Sequence, residues 1–442
     1  MTTQDRARAS PTKAFFVEML VKDVSLESAI LDLVDNCIDG ARRLQENGPY
    51  IGLWIEVKVS PDELIIQDNC GGIDIELAKN YAFRFGRDPA LAPIPKSLGT
   101  FGVGMKRAIF KIGRDIYIRS VTKTHSFEVT LNVPQWQVRE EPGEWYFPMS
   151  VEELSHEPPE DERGTFIKIE NLHDTVKKEF ESQYFGDRIR SAVGTRHQQY
   201  IDNGIVIRVN GVSVLGSTVE FAYARDGLEL FPAFEESSLD GVHTRLFTGV
   251  GKLDRIQAGW YLFCNGRMIV EHDQSELTGW GESVEVAIPK YHHQFARFRG
   301  CVYFDSDDAG KLPWNTTKDG IDVTSDVYRT AKTRMVTHMR TVIDFLNKVD
   351  RELDEPDESK RVLMSLLEKE ASYAPPLKVP TAAKFTYSAL PLERPPEYKR
   401  VYIYRPKADL ECLRKCLGAR SYKEALETVF DWYLENECAD VE

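Results

Sequence analysis

The order of helical and strand-like segments in the first 170 residues limits most strongly what this chain can fold into. Apolar residues recur at helical spacing from Ser25 to Arg43, two strand-like runs and a proline-rich stretch follow, and a second helix precedes three more strands. The runs are predicted as strands Leu53–Val59, Glu63–Gln67, Ile116–Val121, Phe127–Val133 and Thr165–Ile169, with the second helix at Met105–Ile112. Antiparallel-looking strands with helices between them favour an α+β, two-layer sandwich over a doubly wound sheet.

The remaining chain is predicted to divide into four further parts. A strand-rich block runs from about 200 to 322 and includes a strand at Ile205–Val209, and a helical stalk at 323–372 contains an amphipathic helix at Val327–Val349. Six prolines between Pro375 and Pro396 indicate a linker at 373–397. Residues 398–442 are predicted to form a small strand-helix-helix module. The first domain is predicted at 14–180.

Charge and cysteine content limit the classes of function. A net charge of −14 argues against a surface that binds nucleic acid throughout, so any such contact is expected to be local. The seven cysteines show no spacing typical of zinc sites, which favours a reduced, cytoplasmic setting. No apolar run approaches the length of a membrane span, and the amino-terminal residues have no apolar signal core. We therefore expect no membrane partner.

Three polar side chains lie along one side of the first helix. Asp32, Asn36 and Asp39 are spaced at i, i+4 and i+7, beside the apolar stripe of the same helix. Considered alone, such an edge is more simply explained as the solvated face of an amphipathic helix. It becomes a candidate site only in combination with other motifs.

Two glycine-containing segments supply those other motifs. Asp68 to Gly72 follows a strand, where glycines permit a tight turn and the close approach of a planar ligand; an ordinary turn is the simpler explanation for this segment alone. Gly99, Gly102 and Gly104 precede the second helix, whose free N–H groups and dipole favour phosphate oxygens. Their order, GxxGxG after a proline-rich loop, differs from the dinucleotide-binding fingerprint.

Together, these segments resemble the GHKL superfamily of gyrase, heat-shock chaperone, histidine kinase and MutL-type ATPases. The resemblance covers about 20–175 strongly and 200–320 more loosely, and is nearest to MORC-like or MutL-like members with a transducer domain. The resembling motifs are LDLVDNCID at 31–39, DNCGGI at 68–73, KSLGTFGVGMK at 96–106 and GTFIKI at 164–169. The resemblance implies a Bergerat-type sandwich followed by a transducer-like (S5-like) α/β domain.

The resemblance also implies that ATP and Mg²⁺ bind at these motifs. Asn36 would bind the metal, Asp68 would accept a hydrogen bond from the adenine amino group with support from Thr165, and Gly72 would let the base lie flat. Residues 84–104 would form a lid over the triphosphate, and Lys106 would lie near the phosphates, although a surface lysine at a helix start is an alternative. The predicted ATP-binding set is Asn36, Asp39, Asp68, Gly72, Ile73, Gly99, Thr100, Phe101, Gly102, Val103, Gly104, Lys106 and Thr165.

Two residues are predicted to be catalytic by the same resemblance. Asp32 stands where the superfamily commonly has a glutamate as general base, and its shorter side chain predicts slow turnover, with inactive nucleotide binding as the alternative. Lys318 lies in a segment that resembles the transducer loop that extends a lysine to the γ-phosphate; an exposed turn lysine is the other explanation. Cys70 stands where the superfamily usually has glycine.

The carboxyl-terminal residues resemble a ribbon-helix-helix module. Its strand would lie at 399–405, with helices at 408–417 and 422–434. Arg400, Tyr402 and Tyr404 would point outward and could contact DNA, and residues 399–423 contain eight lysines and arginines against two acids. A plain dimerisation or docking hairpin explains the same pattern.

The sequence thus predicts an ATP-hydrolysing protein that works as a nucleotide-gated homodimer clamp on DNA or a DNA-bound protein. A hydrolysis-deficient nucleotide-binding scaffold and a chaperone-like client binder remain as alternatives. A role in genome maintenance or anti-phage defence is compatible with this prediction, although no residue argues for it directly.

Overall fold

The computed structural model describes residues 12–46, 48–86, 95, 97–99, 102–138, 145–225, 229–282, 288–357, 360–388 and 404–437. The chain forms two compact units, Met1–Leu390 and Pro391–Glu442. No helix of the described residues is long and apolar enough to cross a membrane. The helices are α1 Lys13–Lys22, α2 Leu26–Leu44, α3 Ile75–Leu77, α4 Gly104–Ile112, α5 Val133–Val138, α6 Asp174–Phe180, α7 Phe185–Arg196, α8 Gln198–Asp202, α9 Asp326–Glu352, α10 Val362–Ser365, α11 Lys407–Leu417 and α12 Tyr422–Glu437.

The described strands of the first unit form two large sheets and two short pairs. The strands are β1 Trp54–Val59, β2 Glu63–Asp68, β3 Gly113–Val121, β4 His125–Asn132, β5 Met149–Glu153, β6 Thr165–Leu172, β7 Val206–Val209, β8 Val212–Ser213, β9 Phe221–Tyr223, β10 Leu230–Phe231, β11 Ala233–Leu239, β12 Val242–Val250, β13 Gly259–Cys264, β14 Arg267–Asp273, β15 Phe298–Asp305, β16 Ser372–Ala374 and β17 Thr386–Tyr387.

The first sheet and the helices α2 and α4 form the predicted two-layer sandwich. The eight strands run in the order β5-β4-β3-β6-β2-β1-β7-β8, and α2 and α4 pack against each other and against the sheet. The helix predicted from Ser25 begins where expected, because the Ser25 hydroxyl accepts a hydrogen bond from the Ser28 N–H at 3.0 Å. Ile30, Leu33 and Ile38 of its apolar stripe are fully buried. The prediction of an α+β sandwich is confirmed.

The strand predicted at Ile205–Val209 lies in a different sheet from the one expected. It was assigned to the second block, but β7 pairs in parallel with β1 and so extends the first sheet. Local patterning could not indicate this pairing, because the two strands are about 150 residues apart in the chain. The assignment of this strand to the second block was therefore wrong.

The second sheet has five strands in the order β11-β12-β15-β13-β14, and the long helix α9 packs on β12 and β15. The predicted stripe of α9 is buried, and the helix begins at Ser325, whose hydroxyl accepts from the Tyr328 N–H. Part of the predicted linker is ordered chain: β16 pairs with β9 and β17 with β10. The Phe385 and Tyr387 rings also contact Phe345 of α9. The proline count did not reveal these contacts.

The second unit contains the two predicted tail helices, α11 and α12. Gly418 ends α11 in the left-handed conformation, with φ of 65°, as a helix C-cap glycine commonly does. The predicted strand lies mostly outside the described residues, and so do Arg400 and Tyr402. Tyr404 is described and is exposed.

Candidate functional site

One cavity in the first unit brings together residues from most of the predicted motifs. Its described lining includes the α2 edge, the start of α4 and a loop that follows the second sheet. The predicted residues that line it are Asp32, Asn36, Asp39, Ile73, Gly99, Gly102, Val103, Gly104, Lys106 and Lys318. Thr100 and Phe101 lie outside the described residues. Segments about 280 residues apart in the chain therefore meet at one site.

Asp32 is buried on α2 and forms an ion pair with Arg107 of α4. The Arg107 Nη2 atom lies 2.6 Å from Asp32 Oδ2, and the side chains are only 8% and 1% exposed. The other carboxylate oxygen, Oδ1, lies 3.6 Å from Lys318 Nζ and 3.7 Å from Arg267 Nη1, beyond hydrogen-bond distance. The predicted base is therefore surrounded by cations.

Asp39, seven residues further along α2, anchors the glycine-containing segment. Its Oδ1 accepts a hydrogen bond from the Leu98 N–H at 2.7 Å, and its Oδ2 accepts from the Gly99 N–H and the Ser97 hydroxyl at 3.0 and 2.9 Å. Both carboxylate oxygens are thus engaged by the chain itself. The structure gives Asp39 a role in positioning this segment, while its predicted contact with ATP stays a prediction.

The start of α4 presents backbone N–H groups to the cavity. Gly102 has φ of 62°, and Val103, which precedes the helix, gives its first turn no side-chain cap. The first N–H groups of a helix have no intrahelical partners and carry partial positive charge, so they favour an anion. Gly104 also lies close to Asp32, because a Cβ added there would be 3.4 Å from the Asp32 Oδ2 atom.

The predicted adenine-binding residues lie together at the ends of β2 and β6, beside this cavity rather than in its lining. Asp68 Oδ1 accepts hydrogen bonds from the Cys70 and Thr165 N–H groups at 2.8 and 3.2 Å. Burial raises the pKa of Asp68 above its ordinary value. Asp68 and Thr165 border a separate depression.

Glycines in this corner are required by the packing of the chain itself. Gly72 has φ of 71°, and a Cβ there would lie 2.3 Å from the Val121 carbonyl oxygen. A Cβ at Gly164 would lie 1.8 Å from the Asp68 carbonyl oxygen. The sequence interpretation explained Gly72 by a flat ligand, but contact with the neighbouring strand already demands a glycine at this position.

Lys106 is buried at the cavity wall rather than on the surface. Its ammonium group donates a hydrogen bond to the Ala82 carbonyl at 2.8 Å and lies 5.7 Å from the centre of the Phe85 ring. Burial lowers the pKa of Lys106 to about 7. The alternative of an exposed lysine at a helix start is therefore wrong.

Lys318 reaches the same cavity from the loop that follows the second sheet. Its ammonium group donates to Asp35 Oδ2 at 2.8 Å, and its backbone has φ of 54°. The residue is only 5% exposed, so the alternative of an exposed turn lysine is wrong. The loop thus connects the second sheet directly to α2.

Four site residues were missed by the sequence analysis: Asp35, Arg107, His197 and Arg267. Asp35 is fully buried and pairs with Arg267, Lys318 and His197, whose Nε2 lies 2.9 Å from Asp35 Oδ1. Burial alone would raise the pKa of Asp35, but these partners hold that pKa far below its ordinary value. Burial lowers the pKa of His197. The only signal in the sequence was Asp35 itself, an acidic residue within the 31–39 motif and next to Asn36.

Comparison with known proteins agrees with this geometry. Residues 24–165 match a family described as histidine kinase-, DNA gyrase B- and HSP90-like ATPase. The match identifies residues 24–165 as a GHKL-type ATPase domain. The match spans α2, the Asp68 segment, α4 and the start of β6, which are the elements that carry the predicted motifs. A search of curated proteins finds no match.

GHKL ATPases bind ATP, usually with Mg²⁺, and the residues present fit such a metal. Asn36 lines the cavity beside Asp32, and the Nδ2 atom of its buried amide has no hydrogen-bond partner among the described residues. The unpaired Nδ2 group can donate a hydrogen bond to an anionic ligand such as a phosphate, and an amide oxygen is a type of ligand that Mg²⁺ binds. Asn36 would hold the ion, whose chemistry is to neutralise phosphate charge.

Proposed function

We propose that this GHKL protein binds ATP-Mg²⁺ in the cavity between α2 and α4 and hydrolyses the ATP slowly, as a MORC-like or MutL-like member with a transducer domain. The supporting observation is that Asp32, Asn36, the start of α4 and Lys318 line one cavity. A carboxylate, a metal-binding amide, a phosphate-binding helix start and a cation are the groups that phosphoryl transfer to water requires.

Asp32 is the proposed general base. A base must come within hydrogen-bond reach of the attacking water, either directly or through a second water. Aspartate is one methylene shorter than the glutamate that is common in the superfamily, and Arg107 occupies its Oδ2 atom at 2.6 Å. Both features support slow turnover.

We also propose that nucleotide binding controls a homodimer that clamps DNA or a DNA-bound protein in the cytoplasm. Lys318 supports the coupling step, because it joins α2 to the loop after the second sheet through Asp35. The basic residues of α11, including Arg414 and Lys415 in its last turn, support local contact with phosphates despite the net charge of −14.

A nucleotide-binding scaffold without hydrolysis is the second candidate. The ion pair between Arg107 and Asp32 favours it, since a carboxylate that stays paired cannot accept a proton from water. This candidate predicts nucleotide binding without phosphate release.

Phosphate release by the wild type and by Asp32→Ala separates the two candidates. We expect the wild type to release phosphate in the presence of Mg²⁺ and Asp32→Ala to lose at least 100-fold of that rate, as general bases commonly contribute 10²–10⁴-fold. Calorimetry with a non-hydrolysable ATP analogue confirms that each protein binds nucleotide. If neither protein releases phosphate although both bind the nucleotide, hydrolysis is refuted and the scaffold is supported.

Light scattering and DNA retention test the clamp. We expect the non-hydrolysable analogue to increase the dimer fraction, and we expect DNA retention that weakens with salt and is lost when residues 398–442 are deleted. A protein that stays monomeric with the analogue, or that retains no DNA in low salt, would refute the clamp while leaving ATP hydrolysis intact.

A further inference from the structure

Arg107 lies where it can exchange one anion for another. It is the fourth residue of α4, one turn from the uncapped helix start, and its side chain lines the same cavity as Asn36 and Lys318. Its hydrogen-bond partner in the structure is Asp32. Its Nε atom has no hydrogen-bond partner among the described residues, so the guanidinium retains a donor for a second anion.

The ion pair occupies one of the two carboxylate oxygens of Asp32. Arg107 Nη2 donates to Oδ2 at 2.6 Å, so the oxygen that faces α4 is occupied. The opposite oxygen faces Lys318 and Arg267 at 3.6 and 3.7 Å. A water molecule therefore cannot donate its proton to Oδ2 until the guanidinium leaves.

The cations at this cavity wall favour an anionic ligand. Asp32 and Asp35 are contacted by three cations: Arg107, Arg267 and Lys318. Asp39 also lines the cavity and offsets their charge, but the three cations lie close together and attract a negative ligand to this wall. A guanidinium matches phosphate oxygens with two parallel hydrogen bonds, which makes the terminal phosphate of ATP a strong competitor for Arg107.

We propose that Arg107 is the gating residue of this site: it masks Asp32 in the nucleotide-free protein and transfers to the terminal phosphate when ATP binds. The transfer frees Oδ2 for the attacking water at the moment when the substrate is present. ADP lacks that phosphate, so Arg107 stays on Asp32 when ADP is bound. This inference rests on the proposed ATP binding, and it adds how the site recognises the triphosphate.

Calorimetry of the non-hydrolysable ATP analogue and of ADP, each with Mg²⁺, tests the exchange. For Arg107→Gln we expect the preference for the ATP analogue over ADP to fall by about tenfold or more, as for the loss of one charge-assisted hydrogen bond. Arg107→Lys should retain part of that preference. A merely structural arginine would change both affinities by the same factor, and this outcome would overturn the proposal.

Arg188→Gln is the matched control. Arg188 also pairs with two carboxylates, Glu27 and Glu179 at 2.9 and 3.0 Å, but it is half exposed on α7 and does not line the cavity. We expect both of its nucleotide affinities to equal those of the wild type. Circular dichroism checks that Arg107→Gln is folded.

Asp32→Asn provides an independent test, because an amide competes poorly for the guanidinium. We expect it to bind the ATP analogue more tightly than the wild type, and we expect that gain to shrink in the double variant Arg107→Gln/Asp32→Asn. If Asp32→Asn increases the affinity for the ATP analogue by the same factor when Arg107 is replaced, the Asp32 carboxylate only repels the phosphates. That outcome would overturn the proposed exchange. If the wild type binds both nucleotides and shows these effects but releases no phosphate, hydrolysis fails and the exchange stands; if it binds neither nucleotide, both fail.

Discussion

Replacing Asp35 with alanine should destabilise the first unit by about 3 kcal/mol. Removing one partner of a buried ion pair commonly costs about 3–5 kcal/mol, because the other charge is left buried and unpaired. Asp35 is fully buried and pairs with both Arg267 and Lys318. Asp32 lies 3.7 and 3.6 Å from the same two cations and can take over part of the pairing, so we expect the lower end of that range.

Urea unfolding followed by tryptophan fluorescence measures this loss. The control is Glu27→Ala on the same helix, whose ion pair with Arg188 has a similar distance of 2.9 Å but is half exposed. An exposed pair contributes about 0–1 kcal/mol. Because the folded pKa of Asp35 is lowered, its contribution is present above its unfolded pKa and is lost only as the pH falls below that value. The difference from wild type should therefore be constant above about pH 7.5, where neither Asp35 nor its partner His197 titrates. A loss for Asp35→Ala no larger than that for Glu27→Ala would refute the reasoning.

Three further substitutions test the rest of the site. Burial lowers the pKa of Lys106 from 10.5 to about 7, so between these two pH values the folded protein binds fewer protons than the unfolded chain. The free energy of unfolding should therefore rise with pH over this range, and Lys106→Met should reduce that rise. At pH 8, ATP binding should cause Lys106 to take up a proton, so the binding enthalpy measured by calorimetry should depend on the ionisation enthalpy of the buffer. A binding enthalpy that is the same in all buffers would contradict this. Asp68→Asn should raise the melting temperature of the free protein at pH 8, because burial raises the pKa of Asp68 and makes its charged form unfavourable. The same variant should lose the increase in melting temperature that ATP causes in the wild type, and an unchanged increase would argue against adenine recognition by Asp68. Gly72→Ala should lower the free energy of unfolding by about 1–3 kcal/mol, because the residue has positive φ and the added Cβ would contact the Val121 carbonyl. Gly211→Ala is the control: its φ is 75° but no atom lies within 4 Å of the added Cβ, so the loss measured in the same melts should be smaller.

Local patterns predicted most of the sandwich because its elements have strong periodic signals. The stripe and cap of α2, the glycines before α4 and the stripe of α9 can each be recognised within a short window of sequence. The same patterns placed β7 in the wrong sheet and described β16 and β17 as linker. In both cases a distant strand supplies the hydrogen bonds, and local patterning contains no information about that partner.

The predicted site divides in the same way. Asp32, Asn36 and the start of α4 were found because they are close in sequence and match a known order of motifs. Lys318 was found only by resemblance. Its burial against Asp35 excludes the exposed turn, while its contact with the γ-phosphate stays a prediction.

The sequence by itself determined that a helix with a polar edge precedes a strand ending in Asp68 and a glycine-rich helix start, because these features depend on neighbours a few residues away. Only the tertiary structure decided which charges balance one another. Asp35 contacts His197 and Arg267, which lie 162 and 232 residues further along the chain, and Asp32 contacts Arg107, which lies 75 residues further along. Such pairs arise when separate elements are buried together, because burial makes an unpaired charge too costly to leave.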